Sequence, residues 1–338
     1  MGTVPLTSGD TNPTGVRRIG AGTDTTAHGA STERVAVIDT GIDLTHPDLN
    51  AKDGKNCVRT RKTANDGNGH GSHVAGTIGA LNNGSGVAGV APGTELYAVK
   101  VLDSAGSGTW SQIICGIDWV TGRNTDSNTD NDIKVANMSL GGSGTNDNNC
   151  GTTNSDALHR AICKSTKAGV TYAIAAGNSG ANFKNFTPAA YPEALTVTAA
   201  SDSDGASGGT GGAPTCRTGE GDDSYASFSN YAGSGDSAAQ SHTIAGPGVC
   251  IKSTWKGGGY NTTSGTSMAT PHLAGSIALC LGSEGVSGPC AGLTPAQIIQ
   301  KLRSDAQGHA TLTNGFKGDP LRSVSGKYFG YLVEDGDY

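Results

Sequence analysis

Five short runs of almost unbroken apolar or small residues punctuate the chain, at 34–38, 95–100, 133–138, 170–175 and 195–199. Runs of that length without polar alternation predict strands covered on both faces, as in a parallel sheet. Between them the apolar period becomes helical. Ile113, Ile114, Ile117 and Val120 fall on one face of a helix predicted from Trp110. Further helices are predicted at about 155–167 and 269–281. Another opens at Thr294-Pro295, with Thr294 as N-cap and Pro295 in the first turn. This alternation predicts an α/β fold of three layers, a mostly parallel central sheet with helices on both faces. Two polar stretches, 141–154 and 201–223, read as long surface loops rather than linkers. One domain is therefore expected over 10–338, with 1–9 as an N-terminal tail.

Composition narrows the class. Glycine is 54 of 338 residues, about twice the usual share, yet no Gly-X-Y period makes the chain collagen-like. A formal charge of −6 argues against nucleic acid as a partner. No apolar run is long enough to predict a membrane span. Cys57, Cys115, Cys150, Cys163, Cys216, Cys250, Cys280 and Cys290 contain no CxxC pair, which argues against a structural zinc site. Eight scattered cysteines read better as disulfides in an oxidising compartment, the alternative being eight buried thiols; the count alone leaves 105 pairings open. Met1-Gly2-Thr3-Val4-Pro5 has neither the basic nor the apolar region of a secretory leader, so the chain reads as a mature form.

Ligands of open α/β sheets bind beyond the carboxyl ends of the strands. Those ends carry Asp39-Thr40-Gly41, Ser139-Leu140-Gly141-Gly142 and Ala176-Gly177-Asn178. Two predicted helix starts add His70-Gly71-Ser72-His73 and Gly265-Thr266-Ser267-Met268. A hydroxyl that needs a base, an imidazole that titrates near neutrality, a carboxylate to orient it and an amide to meet an oxyanion are the parts of an acyl-transfer site. His73, three residues past His70, reads as packing rather than as the base. Two other motifs lack their structural context. Gly205-Ala206-Ser207-Gly208-Gly209 leads into no helix, and neither does Gly84-Ser85-Gly86-Val87-Ala88-Gly89.

In Val37-Ile38-Asp39-Thr40-Gly41, His70 to Gly76, Ala175-Ala176-Gly177-Asn178 and Gly265 to His272, the chain closely resembles the subtilisin-like serine peptidases. The resemblance runs from about Thr11 to the segment 328–333, with Ser72 where the family usually has Thr. It implies a subtilisin-like fold in which Asp39 orients, His70 is the base, Ser267 attacks and Asn178 serves the oxyanion. It implies that Gly106, Ser107 and Gly108 flank an extended peptide opposite Ser139, Leu140 and Gly141. Ala175, Ala176 and Gly177 would help wall the P1 pocket, Phe186 would floor it, and Trp110 with Leu140 would shape an apolar P4 pocket. Residues 179–188 hold no acid, so bulky apolar P1 residues are expected rather than basic ones.

The resemblance also implies structural Ca²⁺, held by Asp10, Asp48, the Asn83 amide oxygen and the carbonyls of Leu81, Ser85 and Val87. The pairings it favours are Cys57–Cys115, Cys150–Cys163, Cys216–Cys250 and Cys280–Cys290. The expectation is a secreted, monomeric endopeptidase acting on protein and peptide substrates, folded with the help of an N-terminal prodomain, without nucleic-acid or membrane partners. The alternatives are a more restricted processing peptidase and a catalytically silent binding module.

Overall fold

The computed structural model describes residues 2–338. All five predicted strands lie in one eight-stranded sheet. Its order runs Ser224–Tyr225, Leu195–Ser201, Thr171–Ala175, Val135–Met138, Val35–Asp39, Leu96–Lys100, Ala51–Asn56, with Thr243–Pro247 also paired to Leu195–Ser201. Every pairing is parallel except that of Ser224–Tyr225. The apolar runs alternate between two cores, as a period of two requires. Val35 and Val37 face one side, with helices His70–Gly79, Thr266–Leu281 and Pro295–His309. Ala36 and Ile38 face the other, with helices Trp110–Arg123 and Ala157–Lys167. Thr294 caps the last helix as expected, in a capping box with Gln297.

Three features depart from the local reading. Ala51–Asn56, polar in sequence, is an edge strand with a register shift between Asp53 and Lys55. The helix expected from 269 begins at Thr266, which places Ser267 in its first turn. Residues 3–7 of the expected tail are tied to the body of the domain. Thr3–Pro5 pairs antiparallel with Thr26–His28, and Asn82 accepts from Thr7 N at 2.7 Å while its Nδ2 donates to the Pro5 carbonyl at 2.9 Å. Backbone groups left unpaired there would gain such partners at little entropic expense once residue 10 is anchored; Met1 lies outside the described residues. The four disulfides are Cys57–Cys115, Cys150–Cys163, Cys216–Cys250 and Cys280–Cys290. Among the described residues, no helix is long and apolar enough to cross a membrane.

Candidate active site

Asp39 ends its strand fully buried, and His70 opens the helix that follows. His70 Nδ1 donates to Asp39 Oδ1 at 2.8 Å, leaving the imidazole partly exposed. Two glycines permit this approach. A side chain at Gly69, whose φ is +116°, would strike Trp255, and one at Gly71 would strike the Gly41 carbonyl. Burial draws the His70 pKa down, but the charge and hydrogen bond of Asp39, and more distantly Asp66, outweigh it and raise it above 6.5.

Asp66, which local reading of the chain did not single out, ties this corner together. Its Oδ1 accepts from Thr40 Oγ1, Asn68 N and Gly69 N at 2.8–3.0 Å. Its Oδ2 accepts from Ser72 N at 3.0 Å and Ser72 Oγ at 2.7 Å. The Ser72 hydroxyl also accepts from Asp43 N at 2.9 Å, so the hydroxyl kept at this position is used twice. The nearest local signal was an Asp just ahead of a helix start, where a carboxylate meets free N–H groups. His73 is buried, bonded through Nε2 to the Ile251 carbonyl, and burial lowers its pKa to about 4; it is a neutral packing residue, as expected.

Ser267 is held at the Ser139 strand end. Pro271 cannot donate to the Ser267 carbonyl four residues back, and Ser139 Oγ donates to that carbonyl instead, at 2.8 Å. Ser267 Oγ donates to the Ser139 carbonyl at 3.1 Å, so its proton is directed to this strand end rather than to His70. The Asn178 side chain is oriented through Oδ1, which accepts from Thr266 N at 2.8 Å and Thr266 Oγ1 at 3.0 Å. Its Nδ2 has no acceptor among the described residues.

Two cavities adjoin these groups. One, of about 660 Å³, is lined by His70, Gly106, Ser107, Gly108, Trp110, Ser139, Leu140 and Gly141. Thr40 and Gly142 from the strand ends and Ile113 from the helix complete this lining, with Asn68, Leu102 and Ala105, which local reading did not single out. The other, of about 270 Å³, is lined by Ala175, Ala176, Gly177, Asn178, Phe186 and Ser267, with Ser143, Thr187, Ala189 and Thr266 in addition. The candidate residues therefore divide between two adjoining spaces that share Leu140, Gly141 and Gly142.

The residues named for calcium also converge. Asp10–Thr11 runs parallel to Gly86–Val87, and Asp10 Oδ2 accepts from Gly84 N at 2.6 Å. Asp10 Oδ1 is buried without a hydrogen-bond partner. Asp48 is buried as well, and burial raises its pKa to about 6, with the Asp10 charge adding to the rise. Two buried carboxylates that disfavour each other, one with an orphan oxygen, fit a bound cation. Asn83 departs from the expected arrangement. Its Oδ1 accepts from Ser85 N, and its Nδ2 faces Asp48 Oδ1 at 3.2 Å. Tyr260, not anticipated, donates to Asp48 Oδ2 at 3.1 Å and lies 3.3 Å from the Ser85 carbonyl.

The sequence profile of the subtilase family matches residues 31–323. Subtilisin E of Bacillus subtilis is 42% identical over 280 residues, 82% of this chain and 61% of that protein. The chain thus matches about three fifths of the length of that relative. A subtilisin of Bacillus pumilus is 41% identical over 82% of this chain and 84% of its own length. Among solved structures, Sphericase covers 97% of this chain at 30% identity with a TM-score of 0.75. A cold-adapted subtilisin-like serine proteinase covers 96% at 33% identity with a TM-score of 0.70. With the fold, the Asp39–His70 pair and Ser267 in a helix's first turn already in view, these matches show that the chain belongs to the subtilase family.

Proposed function

We propose that this protein is a secreted serine endopeptidase of broad specificity that prefers bulky apolar P1 residues. The observation that carries the reading is the 2.8 Å His70–Asp39 bond, with His70 lining one cavity and Ser267 and Asn178 lining a second that shares Leu140, Gly141 and Gly142 with it. A peptide would lie extended between 106–108 and 139–141, its P1 side chain in the smaller cavity beside Phe186 and Gly177. The Ser267 hydroxyl would leave the Ser139 carbonyl, turn to His70 Nε2 and attack the scissile carbon as its proton passes to the imidazole. Asp39 holds the imidazole through Nδ1–H and stabilises the cation that forms. Asn178 Nδ2 and the Ser267 N–H would meet the oxyanion; that N–H lies in a helix's first turn and needs no intrahelical acceptor. The imidazolium then gives its proton to the leaving amine, and water releases the acyl group by the reverse steps.

Calcium is part of the proposal. Asp10 and Asp48, with carbonyls of Leu81, Ser85 and Val87, would hold it, and Asn83 would join after its amide turns over. The ion would supply structural charge neutralisation between the N-terminal segment and the 81–87 loop. A prodomain that assists folding, and a monomeric mature enzyme, complete the proposal. A fluorophosphonate probe tests its core. Ser267 should label and Ser267→Ala should not; absence of labelling in the wild-type protein would favour a silent binding module. Digestion of an unfolded protein at many sites would support broad specificity, whereas one or two cuts would favour a processing peptidase.

A further inference from the structure

We propose that Arg217 determines specificity on the leaving-group side of Ser267, where it selects substrates with an acidic side chain one or two residues past the scissile bond. The inference rests on the endopeptidase reading and extends it to the other half of the substrate.

On the endopeptidase reading both cavities take the acyl side of the substrate, one lined by 106–108 and the other by 175–177. The residues that follow the scissile bond must run out the opposite way. The chain next to the reacting groups and outside both cavity linings includes Ser264, three residues before Ser267, and Gly180, two residues after Asn178, and we take these to mark that side. The long polar loop 201–223 is brought to both. Cys216 is bonded to Cys250, and its sulfur lies 3.7 Å from Ser264 Oγ, which also accepts from Cys250 N at 2.9 Å. Gly180 N donates to the Phe228 carbonyl at 2.8 Å, and the Arg217 guanidinium lies over the Phe228 ring at 4.5 Å.

Arg217 is held there ready for a ligand. Its Nε donates to Glu220 Oε1 at 3.2 Å, and Glu220 is buried beneath it, accepting also from Ser227 N and Oγ. The arginine side chain stays 43% exposed, and neither terminal nitrogen has a hydrogen-bond acceptor among the described residues. The loop itself is braced. Asp222 accepts from Ser203 N and Gly211 N, and Asp223 from Gly208 N and Gly209 N. A planar guanidinium fixed at Nε and stacked on a ring leaves its two outer N–H groups to meet a carboxylate.

The test uses internally quenched peptides that share one acyl-side sequence and carry Asp, Ala or Lys at P1′ and P2′, cleaved by the wild type, Arg217→Gln and Arg217→Glu. The ratio of kcat/KM for Asp over Lys peptides is taken within each enzyme, so a general loss of activity in a variant cancels. The wild type should favour Asp roughly fivefold at low ionic strength, the size of one exposed ion pair. The preference should collapse in Arg217→Gln, invert in Arg217→Glu and shrink in about 0.5 M salt. An Asp preference that survives in Arg217→Glu, or a wild type without one, overturns the proposal. A wild type that cleaves neither these peptides nor an acyl-anilide overturns the peptidase reading and this proposal together; a cleaved anilide with no Asp preference overturns only the role of Arg217.

Discussion

Replacing Asp66 by Asn separates two roles that one carboxylate performs. The Oδ1 side keeps an oxygen for Thr40, Asn68 and Gly69. On the other side an amide nitrogen then confronts Ser72 N, a buried donor that loses its acceptor, and Ser72 Oγ, already engaged with Asp43 N. One orphaned buried N–H costs about 1–3 kcal/mol, and the lost charge assistance of the remaining bonds adds to it, for a total of about 2–4 kcal/mol. Urea unfolding in a Ser267→Ala background, where self-digestion is blocked, should show that loss as a lower midpoint. The second role is electrostatic. The Asp66 charge helps hold the His70 pKa above 6.5. Without that charge the imidazolium is less favoured, the pKa falls, and the neutral base persists to lower pH. The acid limb of kcat/KM in Asp66→Asn should therefore move to lower pH although the protein is less stable. An acid limb that stays in place or moves to higher pH would refute the account of how Asp66 acts on His70.

Asn178→Ala should lower kcat by about 10²–10³, the range measured for one such donor in a subtilisin, with KM little changed; an equal rise in KM would assign Asn178 to substrate binding. Chelation should shorten the activity half-life at elevated temperature, and Asp48→Asn should abolish most of that sensitivity; an unchanged wild-type half-life would remove calcium from the account. Replacing Cys57 and Cys115 by Ala opens a link of sequence separation 58, for which loop-closure entropy predicts a loss of up to about 4 kcal/mol in unfolding free energy; an unchanged denaturation midpoint would contradict it. Peptide profiling should favour Phe and Leu over Arg and Lys at P1, and a tenfold preference for Arg or Lys would overturn the pocket reading.

The parts of this protein legible from its sequence are those whose signal is local. Val35 to Ile38 read as a doubly covered strand because every position is apolar, and Asp39 follows it wherever the strand is placed. Thr294 and Gln297 cap a helix through contacts three residues apart. The order of the motifs around Asp39, His70, Asn178 and Ser267 carries the family signature on its own. Ala51–Asn56 stayed hidden because an edge strand exposes polar side chains and carries no alternation. Asp66 and Tyr260 stayed hidden for a different reason: an acid among turn residues and a tyrosine in a hairpin acquire their roles only from partners the chain brings to them. Tyr260 reaches Asp48 across 212 residues, and Cys216 reaches the segment before Ser267 through Cys250. Local spacing thus determined five strands of the central sheet, most helices and the residues proposed to react. Tertiary structure alone decided which donors hold the Asp39–His70 pair and where Asp10, Asp48 and the 81–87 loop meet. It also set Arg217 over the Phe228 ring, because each of these depends on distances between segments that the linear order does not encode.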